Sequence, residues 1–329
     1  MTTVTSPSDL LSAVPFLIGY QPSDAIVLMA LKDESISMAI RIDFPETLPV
    51  HEAKALALKF TECDGVLLVS YIPESCSDAE SVIRPLSEVF AELDIPIRES
   101  IIVVGDRWRS LVCSDPDCCP IEGSPLPSLI DSRVAVEEIS RGKPMPFNSL
   151  AEMSKSLASN IDEVIVAMID RINPIDYDSD PIPAQREGAN AVVDFLHDFE
   201  VDRICRDKGL VALTLVRLKD LQVRDFALGV MNSQSDLYFD AWRWLVTKAP
   251  EGYRAAPATL LAVAAYERGD GAMANLALDL ASLDQPNYSM VKLLSQVFRS
   301  GKPPTIFDDL RSELHPKVCQ ALFSGSISA

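Results

Sequence analysis

At 329 residues, with 48% hydrophobic and 23% charged residues, the chain has ample material for burial, lacks the composition of a disordered protein and is long enough for two domains. Lysine plus arginine number 29 against 48 for aspartate plus glutamate, and the formal charge of -19 repels polyanions, which disfavours nucleic acid as a partner. No apolar run reaches the roughly 18 residues of a membrane span, and residues 1–24 lack the basic region and cleavage site of a signal peptide, so a cytoplasmic protein without membrane attachment is expected.

In chain order, Ser6-Pro7-Ser8-Asp9 reads as a helix start, with Ser6 as cap, Pro7 at the first position, Asp9 toward the positive dipole end and Gly19 as the stop. Residues 25–31 and 36–44 read as a β-hairpin around Lys32-Asp33-Glu34-Ser35, the second strand alternating through Ile36, Met38, Ile40, Ile42 and Phe44. Residues 51–60 have helical spacing, and 65–72 (GVLLVSYI) form a strand of the kind covered on both faces. Ser77 with Glu80 makes a capping box for a helix whose stripe is Val82, Leu86, Val89, Phe90 and Leu93. Strands at 100–104 and 108–113 follow, separated by Gly105-Asp106.

This order predicts an α+β fold: a mixed β-sheet with flanking helices over residues 1–147, then an all-helical domain over 148–329. Residues 124–148, dotted with prolines and holding one short helix at 134–139, read as the connection between them. Helical patterns then recur at 150–172, 184–205, 210–218, 223–231, 237–248, 257–267, 271–283, 288–299 and 305–314.

Within the helical part, Leu261, Ala262, Gly269, Ala274, Leu278, Ala281 and Pro286 fall at spacings that resemble a tetratricopeptide repeat, around residues 257–300. Ala258 and Ala265 depart from it, standing where large aromatics are usual, with Tyr266 adjacent. The resemblance implies a short helical solenoid that engages a protein partner, with an ordinary helical bundle as the alternative. Arg243, Arg254, Tyr266 and Arg268 are the candidate groove residues, against a reading of the arginines as solvated surface charge.

Chemically unusual residues concentrate in 107–123, RWRSLVCSDPDCCPIEG. Cys113, Cys118 and Cys119 supply three soft ligands suited to zinc, although their spacing is not that of paired zinc-binding cysteines and a fourth ligand would come from His51, Cys63, Cys76 or a carboxylate. A nucleophilic thiol activated by Arg107 and Arg109 is a second reading, opposed by Asp115 and Asp117. The favoured reading is a compact loop with Trp108 buried, a turn at Asp115-Pro116-Asp117, and Pro120 with Gly123 fixing the exit, with no cofactor expected. Arg107, Trp108, Arg109, Asp115 and Asp117 are the candidate contacts for a ligand or partner.

Phosphate loops, dinucleotide fingerprints, H-E-x-x-H and G-x-S-x-G elbows do not occur, and His51, His197 and His315 lie far apart, so no catalytic residues are assigned. Residues 14–20 (VPFLIGY) with Pro22 and Asp24, Asp106-Arg107-Trp108 through Cys113, Cys118-Cys119-Pro120 and Gly123, Val223-Arg224-Asp225, and 257–271 with Ala277-Leu278-Asp279 together resemble an actinobacterial family known only as domain of unknown function 4192. That resemblance implies no activity or cofactor. The residues favour a non-enzymatic protein-binding or adaptor protein; the alternative is an enzyme or a metal- or ligand-dependent regulator with its site at 107–123.

Overall fold

In the computed structural model, which describes residues 4–33, 35–232 and 235–323, the first helix is set by its caps. Helix α1 (Pro7–Ile18) starts at Ser6, whose hydroxyl accepts the Asp9 N–H at 3.1 Å, and stops at Gly19, whose φ of 83° lets its N–H reach the Pro15 carbonyl. Strands β1 (Ala25–Lys32) and β2 (Ser35–Asp43) form the expected hairpin, paired from Ala25 with Asp43 onward; Glu34 of its turn lies outside the described residues. Helix α2 (Val50–Ala57), extended by one tighter turn over Leu58–Phe60, leads to β3 (Gly65–Ile72).

Helix α3 (Ala79–Glu92) begins one residue later than its capping box predicts. Asp78, not Ser77, is the cap, its carboxylate accepting the Ser81 N–H at 3.1 Å, because a charged acceptor beside the helix dipole outcompetes a hydroxyl. Glu80 is thereby left to pair with Arg109, at 3.1 Å. Strands β4 (Ile97–Val104), β5 (Arg107–Ser110) and β6 (Ser124–Pro125) and helix α4 (Arg133–Ser140) follow.

The described strands make one mixed sheet in the order β2-β1-β3-β4-β5-β6, with β3 and β4 parallel and the other neighbours antiparallel. Helices α2 and α3 cover one face. Ala53, Ala57, Phe60, Val82, Leu86 and Phe90 pack there on Ile26, Leu28, Val66 and Leu68, and Phe60 meets Phe90 edge-on at 5.7 Å. On the other face Leu11 and Ser12 of α1 share a cleft with Tyr71 and Val103, and α1 packs on α4. Cover on both faces explains why every residue of β3 is buried.

Residues 124–148 are not a loose connection. Strand β6 pairs with β5, and further on Gly19 and Gln21 are bonded through backbone groups to Phe147 at 3.0 and 2.8 Å. The proline-dotted stretch belongs to a first compact unit that spans Met1–Met153.

The second unit, Ser154–Ala329, holds helices joined by loops and, among its described residues, no strand. The single helix expected over 150–172 is two, α5 (Leu150–Lys155) and α6 (Glu163–Ile169), because Asp162 caps a new start by accepting the Val164 N–H at 2.9 Å. Then come α7 (Ile182–Asp202), α8 (Lys208–Arg217), α9 (Leu221–Gly229), α10 (Ser235–Lys248), α11 (Ala255–Glu267), α12 (Gly271–Asp284), α13 (Ser289–Ser300) and α14 (Ile306–Phe323). Helix α11 is buried from Ala255 to Ala265 and packs on α10, α12 and α13, which is why its sequence has no polar face. Gly269, at φ 78°, turns the chain into α12, where Ala274, Ala277 and Ala281 let the helices approach closely. Helix α14 runs nine residues past its expected end, through Pro316, because Val318 and Leu322 bury against Ala189 and Phe226. Among the described residues no helix is long and apolar enough to cross a membrane.

Candidate metal centre

Strand β5 ends three residues earlier than its alternation predicts, and Ser110 is the reason. Its hydroxyl donates to Glu99 at 2.6 Å and accepts the N–H groups of Val112 and Cys113 at 3.1 and 3.0 Å, which turns those amides out of the ladder. The loop that follows reverses at Asp115-Pro116-Asp117. Asp115 accepts the Asp117 N–H on its carboxylate at 3.0 Å and the Cys119 N–H on its carbonyl at 2.7 Å.

The loop's exit is clamped from β5. Arg107 Nε donates to the Glu122 and Gly123 carbonyls at 2.7 and 3.1 Å, and its Nη2 donates to Gly123 at 2.5 Å. Trp108 is buried and gives its indole N–H to the Pro125 carbonyl at 3.2 Å. Gly123 sits at φ 76°, and a Cβ there would lie 2.8 Å from the Trp108 carbonyl oxygen, so only glycine fits.

Between these fixed ends the Sγ atoms of Cys113, Cys118 and Cys119 all lie within 4.8 Å of one another. Cys118 is exposed and the other two half-buried, and all three are free thiols. A tetrahedral zinc ion with Zn–S bonds of about 2.3 Å holds its sulfurs about 3.8 Å apart, so small rotations of these side chains suffice to close on one. Desolvation and hydrogen bonds with the neighbouring thiols Cys113 and Cys118 push the Cys119 thiol up to about 11, against a smaller opposite effect of the Ser110 backbone.

Among the described residues no other histidine, cysteine or carboxylate joins this group. His51 is exposed beside Glu52, Cys63 donates to the Phe60 carbonyl at 2.9 Å, and Cys76 packs against the sheet-helix core. Of the candidate contact residues, Arg107 and Trp108 are spent on holding the loop, Arg109 on Glu80, and Asp115 on the turn; the Asp117 side chain is exposed. Ser110 and Glu99, which brace the loop's entry, carry no sequence signature beyond an ordinary strand position.

In the helical unit, Arg254 donates to the Leu157 carbonyl at 2.6 Å, while Tyr266 stacks on Phe298 at 4.3 Å and donates to the Lys302 carbonyl at 2.6 Å. Arg268 pairs with Asp236 at 3.3 Å and lies over the Phe239 ring. Arg243 and Arg268 share an electrostatic cluster with Asp240, whose carboxyl burial pushes up and these cations pull back. Asp240 was not singled out by sequence, where it is one acid among many.

No curated protein and no protein of solved structure matches the chain. A family model does match, over residues 7–305, and its description is domain of unknown function DUF4192. The match takes in the cysteine loop and all but the last described helix, and the chain belongs to that family.

Proposed function

We propose that the protein is a metal-dependent binding protein whose cysteine loop holds one zinc ion through Cys113, Cys118 and Cys119. The observation that carries this reading is the convergence of three sulfurs to within 4.8 Å at positions whose spacing alone does not require it. Two further features support it: thiolates suit zinc, and the loop lacks a hydrophobic core of its own, so an ion would cross-link residue 113 to residues 118 and 119 and hold the loop's exposed face in one shape. A reducing cytoplasm is the compartment in which such thiols stay available.

Thermal unfolding of the full chain tests it. Zinc is expected to raise the Tm of the chelator-stripped protein and to leave that of Cys113→Ser unmoved, since that variant keeps two ligands. An equal response of both proteins contradicts the assignment.

A second reading concerns the helical unit, where the tetratricopeptide-like pairing of α11 with α12 and the cluster of Arg243, Arg268 and Asp240 favour an acidic protein segment as partner. Arg243→Ala with Arg268→Ala is then expected to lose a partner that co-purifies with the wild-type chain. An unchanged set of co-purifying proteins counts against it.

A further inference from the structure

Resting on the zinc reading, we infer that the three-thiolate centre keeps its fourth coordination position for a neutral imidazole supplied from outside the chain, the side chain of a histidine on a partner protein. Ligand number is the first argument. Zinc takes four ligands, structural sites close all four with protein groups, and open sites leave one for an exchangeable donor. Three sulfurs converge here, and among the described residues no fourth ligating side chain lies with them. The centre is reachable, since Cys118 is exposed and neither Cys113 nor Cys119 is fully buried.

Charge decides which donor fits. A divalent cation with three thiolates carries one net negative charge, and the loop adds Asp115, Asp117 and Glu122. The two cations of the stretch are turned elsewhere, Arg107 to the Glu122 and Gly123 carbonyls and Arg109 to Glu80, in a chain of formal charge -19. An anionic fourth ligand, whether thiolate, carboxylate or phosphate, meets repulsion from all of these. A neutral nitrogen donor does not, and zinc accepts imidazole readily. Of the chain's own histidines, His51, in the same compact unit as the loop, is exposed beside Glu52 and does not group with the three sulfurs.

The test loads the full-length protein with cobalt(II), whose visible bands report the ligand set, and titrates in neutral and anionic donors. Imidazole is expected to change the bands saturably, and 2-mercaptoethanol and acetate to bind at least about tenfold more weakly. A histidine blocked at both ends, which mimics a protein side chain, should bind more tightly than N-acetylhistidine, whose free carboxylate is repelled. The Asp117→Asn and Glu122→Gln double variant should narrow that difference.

Bands that do not respond to imidazole, or that respond more strongly to the thiol, overturn the inference. So does a band change in Asp117→Asn before any donor is added, because that identifies the loop's own carboxylate as the fourth ligand. Tighter binding of N-acetylhistidine than of the blocked form overturns the partner-protein source. Absence of a thiolate-to-cobalt charge-transfer band in the wild-type protein is a different result, and it removes the metal reading itself.

Discussion

Ser70 lies fully buried in the middle of β3, between Ile26 of β1 and Ile102 of β4, and its hydroxyl has no hydrogen-bond partner. A hydroxyl taken out of water without a partner costs about 1 to 3 kcal/mol. Its neighbours on that face are the apolar side chains packed under α2 and α3, which have no polar group to offer. Ser70→Ala is therefore expected to stabilise the protein by about 1 kcal/mol in urea unfolding, against the usual direction for a core substitution. A loss of stability would mean that the hydroxyl is satisfied. Gly123 is the opposite case at the same scale: its positive φ and its approach to Trp108 make the residue type obligatory, and its place beside the cysteines was legible because glycine and proline mark a fixed loop exit.

At the scale of elements, the reading from sequence was most accurate where the signal was local. The caps of α1, the hairpin and the buried run of β3 follow from neighbouring residues alone. It failed where tertiary contact decides. The two residues of β6 exist as a strand only because β5 is beside them, and α14 continues past its expected end because Val318 and Leu322 find apolar partners. Helix α1 is also joined to α4 by an interaction no local pattern announces. Asp9 accepts from the Thr5 backbone and hydroxyl at 3.1 and 2.7 Å and pairs with Arg133 at 2.8 Å.

Partial burial of Asp9 works against its charge, but these donors win and hold its carboxyl below the usual range. A depressed carboxyl contributes stability that is complete above the unfolded value of about 3.9 and is lost as pH falls through the lower folded value. Asp9→Asn is expected to cost roughly 1 kcal/mol at neutral pH, the screened worth of a partly exposed carboxylate. The gap from wild type should close below about pH 4, as the wild-type carboxyl takes up its proton. A gap that did not shrink as pH falls below about 4 would show that the charge is not what α1 uses.

For the whole molecule, a mixed sheet followed by helices was legible because strand patterns stop before residue 150 and only helical spacing continues after it. The candidate centre was only half legible. Three cysteines in seven residues drew attention, yet their spacing matched no paired zinc motif. Their convergence comes from the reversal at Asp115 and from two braces that sequence does not advertise, Ser110 on Glu99 at the entry and Arg107 on the Glu122 and Gly123 carbonyls at the exit. Arg107, Trp108 and Asp115, marked as candidate contacts, also brace the loop, while Cys118 and Asp117 are exposed.

Elemental mass spectrometry of the purified, tag-free full-length protein decides whether these three thiols hold zinc. One zinc per chain is expected in the wild type and none in the variant with Cys113, Cys118 and Cys119 all replaced by serine. Equal zinc in both, or a metal-free wild type that takes up no zinc after reduction, would contradict the zinc reading.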